Sequence, residues 1–191
     1  MAKLELIRDE SRVRIRVFAE GFLVRLAHDL ELVCGGLTGS AEPGGPGPGS
    51  ARIEAPVEAI AIAGTLDKGG KVDPRGLTGL ERDVCIGKMR KEAFLLAEGA
   101  RGVVRIEAEM TGQGKARVRL EPPSGRTIEK AVELRIEEKD GVTRATGRFE
   151  VSLKAIGADT IKGPMNAFRL KDAVEILFDV AFRGQGSREP E

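Results

Sequence analysis

The chain has no tryptophan and no tyrosine, and its single histidine is His28. Without indole or phenol rings it lacks the stacking platforms of single-stranded nucleic-acid sites and the usual aromatic anchors of membrane interfaces. One imidazole excludes a zinc site built from several. An excess of one charge is also missing: 31 Lys and Arg face 30 Asp and Glu, interspersed along the chain, so no field gathers nucleic acid or an anionic membrane. No apolar run approaches the ~20 residues of a membrane helix. The stretch from Met1 to Glu10 has no continuous apolar segment of the kind a secretory leader needs. The expectation is a cytoplasmic protein that does not span a membrane and has no nucleic-acid partner, with Cys34 and Cys85 as reduced thiols. No phosphate-binding loop or dinucleotide fingerprint occurs, because the glycines of 42–50 lack a following helix and a Lys-Ser/Thr pair, and no cofactor is expected.

What the chain has is alternation. From Val174 to Phe182, Val174, Ile176, Phe178, Val180 and Phe182 share one parity against Glu175, Leu177, Asp179 and Ala181, the pattern of a half-buried strand. Val13, Ile15 and Val17 oppose Arg12, Arg14 and Arg16, which read either as an arginine row for phosphate or as the wet face of an antiparallel sheet. Phe22, Leu23 and Leu26 suit one or two helical turns that cover something, and Leu30–Cys34 resumes a strand. Gly and Pro over 42–50 hold neither ladder nor helix and predict a flexible loop inside one domain. Ile53, Ala55 and Val57 alternate again, and Pro56 on the outward parity marks an edge, a bulge or a barrel opening.

Thr78-Gly-Leu-Glu81 has the form of a capping box, which predicts a helix to about Ala93 with Leu80, Val84, Ile86, Met89 and Ala93 along an apolar face. Lys88, Arg90 and Lys91 near its end complement the macrodipole or form a collar for a phosphate. From Gly102 the alternation is unbroken: Val104, Ile106, Ala108 and Met110; then Ala116, Val118 and Leu120; then Ile128, Val132, Leu134 and Ile136; then Gly147, Phe149, Val151 and Leu153. Asp140-Gly141 between the last two runs is a type I′ hairpin signal. About eight strands with short connections close economically on themselves. The predicted fold is all-β: an extended eight-stranded antiparallel up-and-down barrel, lipocalin-like, with one short α-helix between strands. It is one domain over 1–191, with its core at about 8–183 and a disordered tail from about 184.

Several stretches, in this order, resemble the YceI-like family of lipocalin-like barrels associated with polyisoprenoid binding. They are Ala27-His28-Asp29-Leu30, Leu37-Thr-Gly-Ser40, Pro56-Val57, the charged helix from Glu81 to Met89, and the run from Arg169 to Ile176. The resemblance implies an apolar tunnel for a polyprenyl lipid or quinone, a homodimer and no enzymatic activity. Two departures stand out: many relatives carry a secretory signal, and Glu121-Pro-Pro-Ser-Gly125 stands where relatives often have a turn containing His-Gly.

The expected function is therefore non-enzymatic binding of a long apolar or amphiphilic molecule, an isoprenoid or prenyl quinone, inside the barrel. The expected lining is Val13, Ile15 and Val17 from the first strand, Ile53 and Val57, Val104 and Ile106, and Val118. Val132 and Leu134, Phe149 and Val151, and Ile176, Phe178 and Val180 complete it. The candidate head-group contacts are His28, Lys88 and Arg90. The alternative is a structural or interaction protein whose barrel its own side chains fill. No catalytic or metal site is expected: His28 and Asp29 are adjacent, so on a strand they point to opposite faces, and His28, Cys34 and Cys85 have no ligand-pair spacing.

Overall fold

A computed structural model describes residues 3–21, 27–44 and 49–184. The expected helical turn at Phe22–Leu26, part of the Gly/Pro loop and nearly all of the expected tail lie outside the described residues. The strands are β1 (Leu4–Leu6), β2 (Arg12–Val17), β3 (Ala19–Glu20), β4 (Asp29–Cys34), β5 (Thr38–Glu42), β6 (Ser50–Pro56), β7 (Ile60–Leu66) and β8 (Val72–Asp73). After helix α1 (Gly79–Lys88) come β9 (Val103–Gly112), β10 (Lys115–Glu121), β11 (Ile128–Lys139), β12 (Val142–Ser152), β13 (Arg169–Leu170) and β14 (Ala173–Gly184).

The ring β1-β5-β6-β9-β10-β11-β12-β14 closes on itself, because β14 pairs with β12 along one edge and with β1 along the other. This is the eight-stranded antiparallel barrel, and it leaves no free edge in the ring. Five of its staves are continuous. The other three are each broken once: β1 runs on into β2, β4 into β5, and β6 into β7. The breaks at 7–11, 35–37 and 57–59 lie side by side, since Val13 faces Cys34, Cys34 faces Ile60, and Thr38 faces Glu54. Beyond them β2, β4 and β7 continue as a small sheet attached to β14.

Each break is repaired locally, as buried amides require. Ile7 donates to the Ala181 carbonyl at 2.8 Å, and the Ala181 amide donates to Ser11 Oγ at 3.0 Å. Pro56 ends β6, and a 3₁₀ turn at Val57–Ala59 follows, with the Val57 amide on the Gly102 carbonyl at 2.8 Å. At Pro56, which the sequence marks as an edge, a bulge or a barrel opening, the structure shows instead a kink at which the stave changes direction. It also removes Val57 from the strand: the residue is fully buried, but in the turn.

Helix α1 starts on the expected capping box, with Glu81 carboxylate accepting from the Thr78 amide at 2.8 Å and Thr78 Oγ1 accepting from the Glu81 amide at 3.3 Å. A π-helical turn at Met89–Ala93 completes it. Its apolar face is the expected one at Ile86, Met89 and Ala93 but not in the first turns. Leu80 is 75% and Val84 55% exposed, whereas Cys85, Ile86 and Met89 pack on the main core. The reason is Arg82, whose guanidinium donates to the carbonyls of Ile62 (2.6 Å), Pro74 and Leu77 and so sets the helix's rotation about its axis.

The β11–β12 hairpin turns as the sequence predicts, with φ of 52° at Asp140 and 74° at Gly141, the pair of positive angles a type I′ turn needs. Outward faces carry charge pairs such as Arg105 with Glu54 and Glu121, exposed and of small energetic weight. Of the arginine row, Arg16 is ion-paired in a more buried setting, bound to Glu31 at 2.8 Å and 3.8 Å from Glu175.

Candidate functional site

The inward parity of the staves encloses a cavity of about 420 Å³, inside the ~300–1,000 Å³ range of pockets that bury a small molecule. Strand alternation builds it: one side chain in two points in, and on most strands that one is Val, Ile, Leu, Phe or Ala. All the expected lining residues except two face this space. Val57 is absent because of the kink at Pro56. Val132 is buried but packs with Ala116, Val118 and the rings of Phe149 and Phe178, which leave it no open face on the cavity.

The two ends of the cavity differ. At the helix end, Met89, Ala93 and Phe94 from the π-turn meet Leu153 and Ile156 from the turn after β12. Ala93, Leu153 and Ile156 are buried, so this end is closed. At the hairpin end the wall consists of Glu42 at the end of β5, Pro43 and Gly44 after it, and Ile136, Glu138 and Thr143 around the β11–β12 hairpin. Glu42, Pro43, Gly44 and Glu138 are exposed, so the cavity opens here. Midway, the Phe178 ring lies against Gly147 and is 6.3 Å from the Phe149 ring, which narrows the bore.

None of the three expected head-group residues lines the cavity. His28 is exposed just before β4, close enough to Glu81 for its charge to contribute to holding that carboxyl below its ordinary value, after the two Thr78 hydrogen bonds that do most of it. Lys88 turns outward to the Lys162 carbonyl at 2.5 Å and to Glu92 at 3.4 Å, in a polar surface cleft of about 610 Å³. The walls of that shallow cleft balance Lys88 and Lys162 against Glu92 and Asp159, so it favours no ion. Arg90 is half-buried, and its Nε has no hydrogen-bond partner among the described residues. Helical spacing keeps both cations out of the cavity wall, a direction their place in the sequence did not reveal.

Among the described residues, no lysine, arginine or histidine contributes to the cavity wall. Below the mouth the titratable group in the wall is Cys34, whose thiol burial pushes up to about 11, so it is neutral over the physiological range. Both cysteines are free. Asp29 is occupied structurally, accepting from the Ala19 amide at 2.8 Å. No cluster of three metal-ligating side chains occurs among the described residues, and no helix among them is long and apolar enough to cross a membrane.

Sequence reasoning missed several wall residues. Leu32 and Cys34 share the inward parity of β4, a signal that was available in Leu30–Cys34. Leu4 and Ile60 were not readable, because each sits beyond a break that shifts the stave's direction.

No family model matches the chain, and no curated protein matches it in sequence. Two solved structures share its architecture. One is BcnA from Burkholderia cenocepacia, 14% identical, with a TM-score of 0.62 over 92% of this chain and 98% of that one. The other is a polyisoprenoid-binding domain from Saccharophagus degradans implicated in plant cell wall breakdown, 10% identical, with a TM-score of 0.64 over 96% of this chain and 99% of that one. At these identities the likeness is one of fold. The extended eight-stranded barrel implied by the resemblance to the YceI-like family is the architecture observed.

Proposed function

We propose, from a fold shared with a polyisoprenoid-binding domain, that this protein binds a long-chain apolar or amphiphilic molecule of the isoprenoid or prenyl quinone type inside its barrel. The observation that carries the reading is a cavity walled by apolar strand faces, closed at the helix end and open at the hairpin end. The volume of about 420 Å³ equals about fourteen water-sized units at ~30 Å³ each. It therefore encloses a chain of comparable length, and a longer one emerges through the mouth.

Burial of about fourteen carbons releases about 11 kcal/mol at ~0.8 kcal/mol each. An association cost of at least about 4 kcal/mol leaves micromolar affinity. No ionic contact is needed. The reading includes no turnover, because the thiol of Cys34 is too weak an acid to serve as a nucleophile near neutral pH. It also includes a cytoplasmic location and a homodimer, the latter to be measured by sedimentation.

The test is a titration of the purified, delipidated protein with farnesol and with a short-chain ubiquinone, followed by calorimetry, together with mass spectrometry of lipid extracted before delipidation. Ala145→Phe, which places a ring in the cavity wall opposite open space, is expected to weaken binding at least tenfold. Finding no extracted lipid and no heat of binding for either compound overturns the proposal.

A further inference from the structure

The face of α1 turned away from the barrel carries a pattern that the protein's own core does not use. Leu80, Val84, Gly87 and Lys91 recur at spacings of four, three and four residues, the seam of a two-helix pairing. All four are exposed, Leu80 by 75% and Val84 by 55%. Arg82, Cys85, Ile86 and Met89 hold the opposite side of the helix against the barrel. A Cβ on Gly87 would meet nothing within 4 Å, so another backbone can come close there.

The residues beside the seam are charged and change sign along the helix. Glu81 and Asp83 flank its first half, Lys88 and Arg90 its second. A second copy laid antiparallel, with Val84 opposite Gly87, brings Asp83 to Arg90 on one flank and Glu81 to Lys88 on the other, each pair twice by symmetry. Asp83 and Arg90 form no ion pair among the described residues, whereas Glu81 is tied to Thr78 and Lys88 to Glu92. The Asp83–Arg90 contact therefore carries the preference. A parallel copy would instead set like ends of the two helix dipoles side by side.

The antiparallel arrangement also covers the most exposed large apolar residue among those described. Met165 is 99% exposed, in the segment that Lys88 holds at the helix's C-terminal end through the Lys162 carbonyl. In an antiparallel pair that end lies beside Leu80 of the second copy.

Resting on the homodimer included in the proposed function, we infer that two copies of this chain associate through α1, antiparallel about a two-fold axis between Val84 and Gly87. The helix stands at the closed end of each cavity, so both mouths stay uncovered. A contact of two short helices is small, in the range below about 1,200 Å² where association is weak. The dimer accordingly forms at micromolar protein.

Sedimentation equilibrium of the full chain from micromolar to millimolar concentration tests this, with melting curves to verify that each variant is folded. The unaltered chain is expected to dimerise, and Leu80→Glu to weaken the dimer at least tenfold. Asp83→Arg should weaken it at least threefold, and Asp83→Arg/Arg90→Asp should regain the original strength. Arg90 is half-buried, so hydrogen exchange of the unaltered chain, dilute against concentrated, supplies a measurement that needs no variant: extra protection is expected in α1 and around Met165 alone. A dimer unmoved by Leu80→Glu, or protection elsewhere, overturns the inference and leaves the homodimer standing. A folded double swap that regains nothing overturns the antiparallel pairing. A chain that stays monomeric throughout overturns the inference and the homodimer together, and leaves the binding of apolar chains untouched.

Discussion

The two halves of the barrel are built to different rules. β9 to β12 and β14 are continuous strands of seven to twelve residues that pair in long ladders, with one register shift at Lys115/Ala116 beside the β9–β10 turn, β12 with β14 running from Val142↔Arg183 to Ser152↔Ala173. The three staves before them are each cut once, and the cuts align. The straight half supplies a regular wall, in which position alone decides what faces inward. The kinked half lets β2, β4 and β7 swing out as a flap of sheet, against which the helix and its π-turn close one end of the cavity. An opening at one end and a floor at the other thus follow from where the chain breaks.

Three substitutions test this difference. The largest effect is expected at Gly147, in the straight half, where a Cβ would lie 2.5 Å from Phe178 Cζ and 2.9 Å from the Glu133 carbonyl oxygen. Gly147→Ala should destabilise by about 1–3 kcal/mol through overpacking, measured by urea denaturation. A neutral result would mean that the ring is free to swing and that the straight wall is less tightly packed than the structure shows. At the kink, Ser11 is 4% exposed and accepts from the Ala181 amide where the strand has no backbone partner to offer. Ser11→Ala leaves that amide buried without an acceptor and should cost about 1–3 kcal/mol, with faster hydrogen exchange confined to Ala181 and its neighbours. Uniform exchange would show that the break needs no stitch. The smallest effect is expected at Gly35, in the neighbouring break. A Cβ there meets nothing within 4 Å, so Gly35→Ala should shift stability by no more than about 0.5 kcal/mol. A large loss would place a hidden constraint in the kinked half.

The same division decides what was legible in the sequence. In the straight half, a period of two and a positive-φ dipeptide are local signals, and Ile106, Val118, Phe149 and Phe178 stand where parity puts them. In the kinked half, Gly35-Gly36 and Pro56 announce two of the breaks, but nothing in Arg8-Asp9-Glu10 announces the third. The consequence of Pro56 for Val57 depends on which way the stave turns, a tertiary fact. The helix shows the same limit: its capping box is local and was readable, while its rotation is set by Arg82 reaching carbonyls as far away as Ile62. The mouth escaped notice because Glu138 looks like one more surface carboxylate until the hairpin is closed.

The seam between β14 and β1/β2 also carries a kinetic consequence. Ser11 and Ala181 are 170 positions apart, and every hydrogen bond along that edge joins the beginning of the chain to its end. The ring therefore cannot close during synthesis until the last strand has emerged. Until then β1 and β2 present an open edge to anything that pairs with strands. High contact order of this kind predicts slow barrier crossing, and it makes the first strands the part of the nascent chain most in need of shielding.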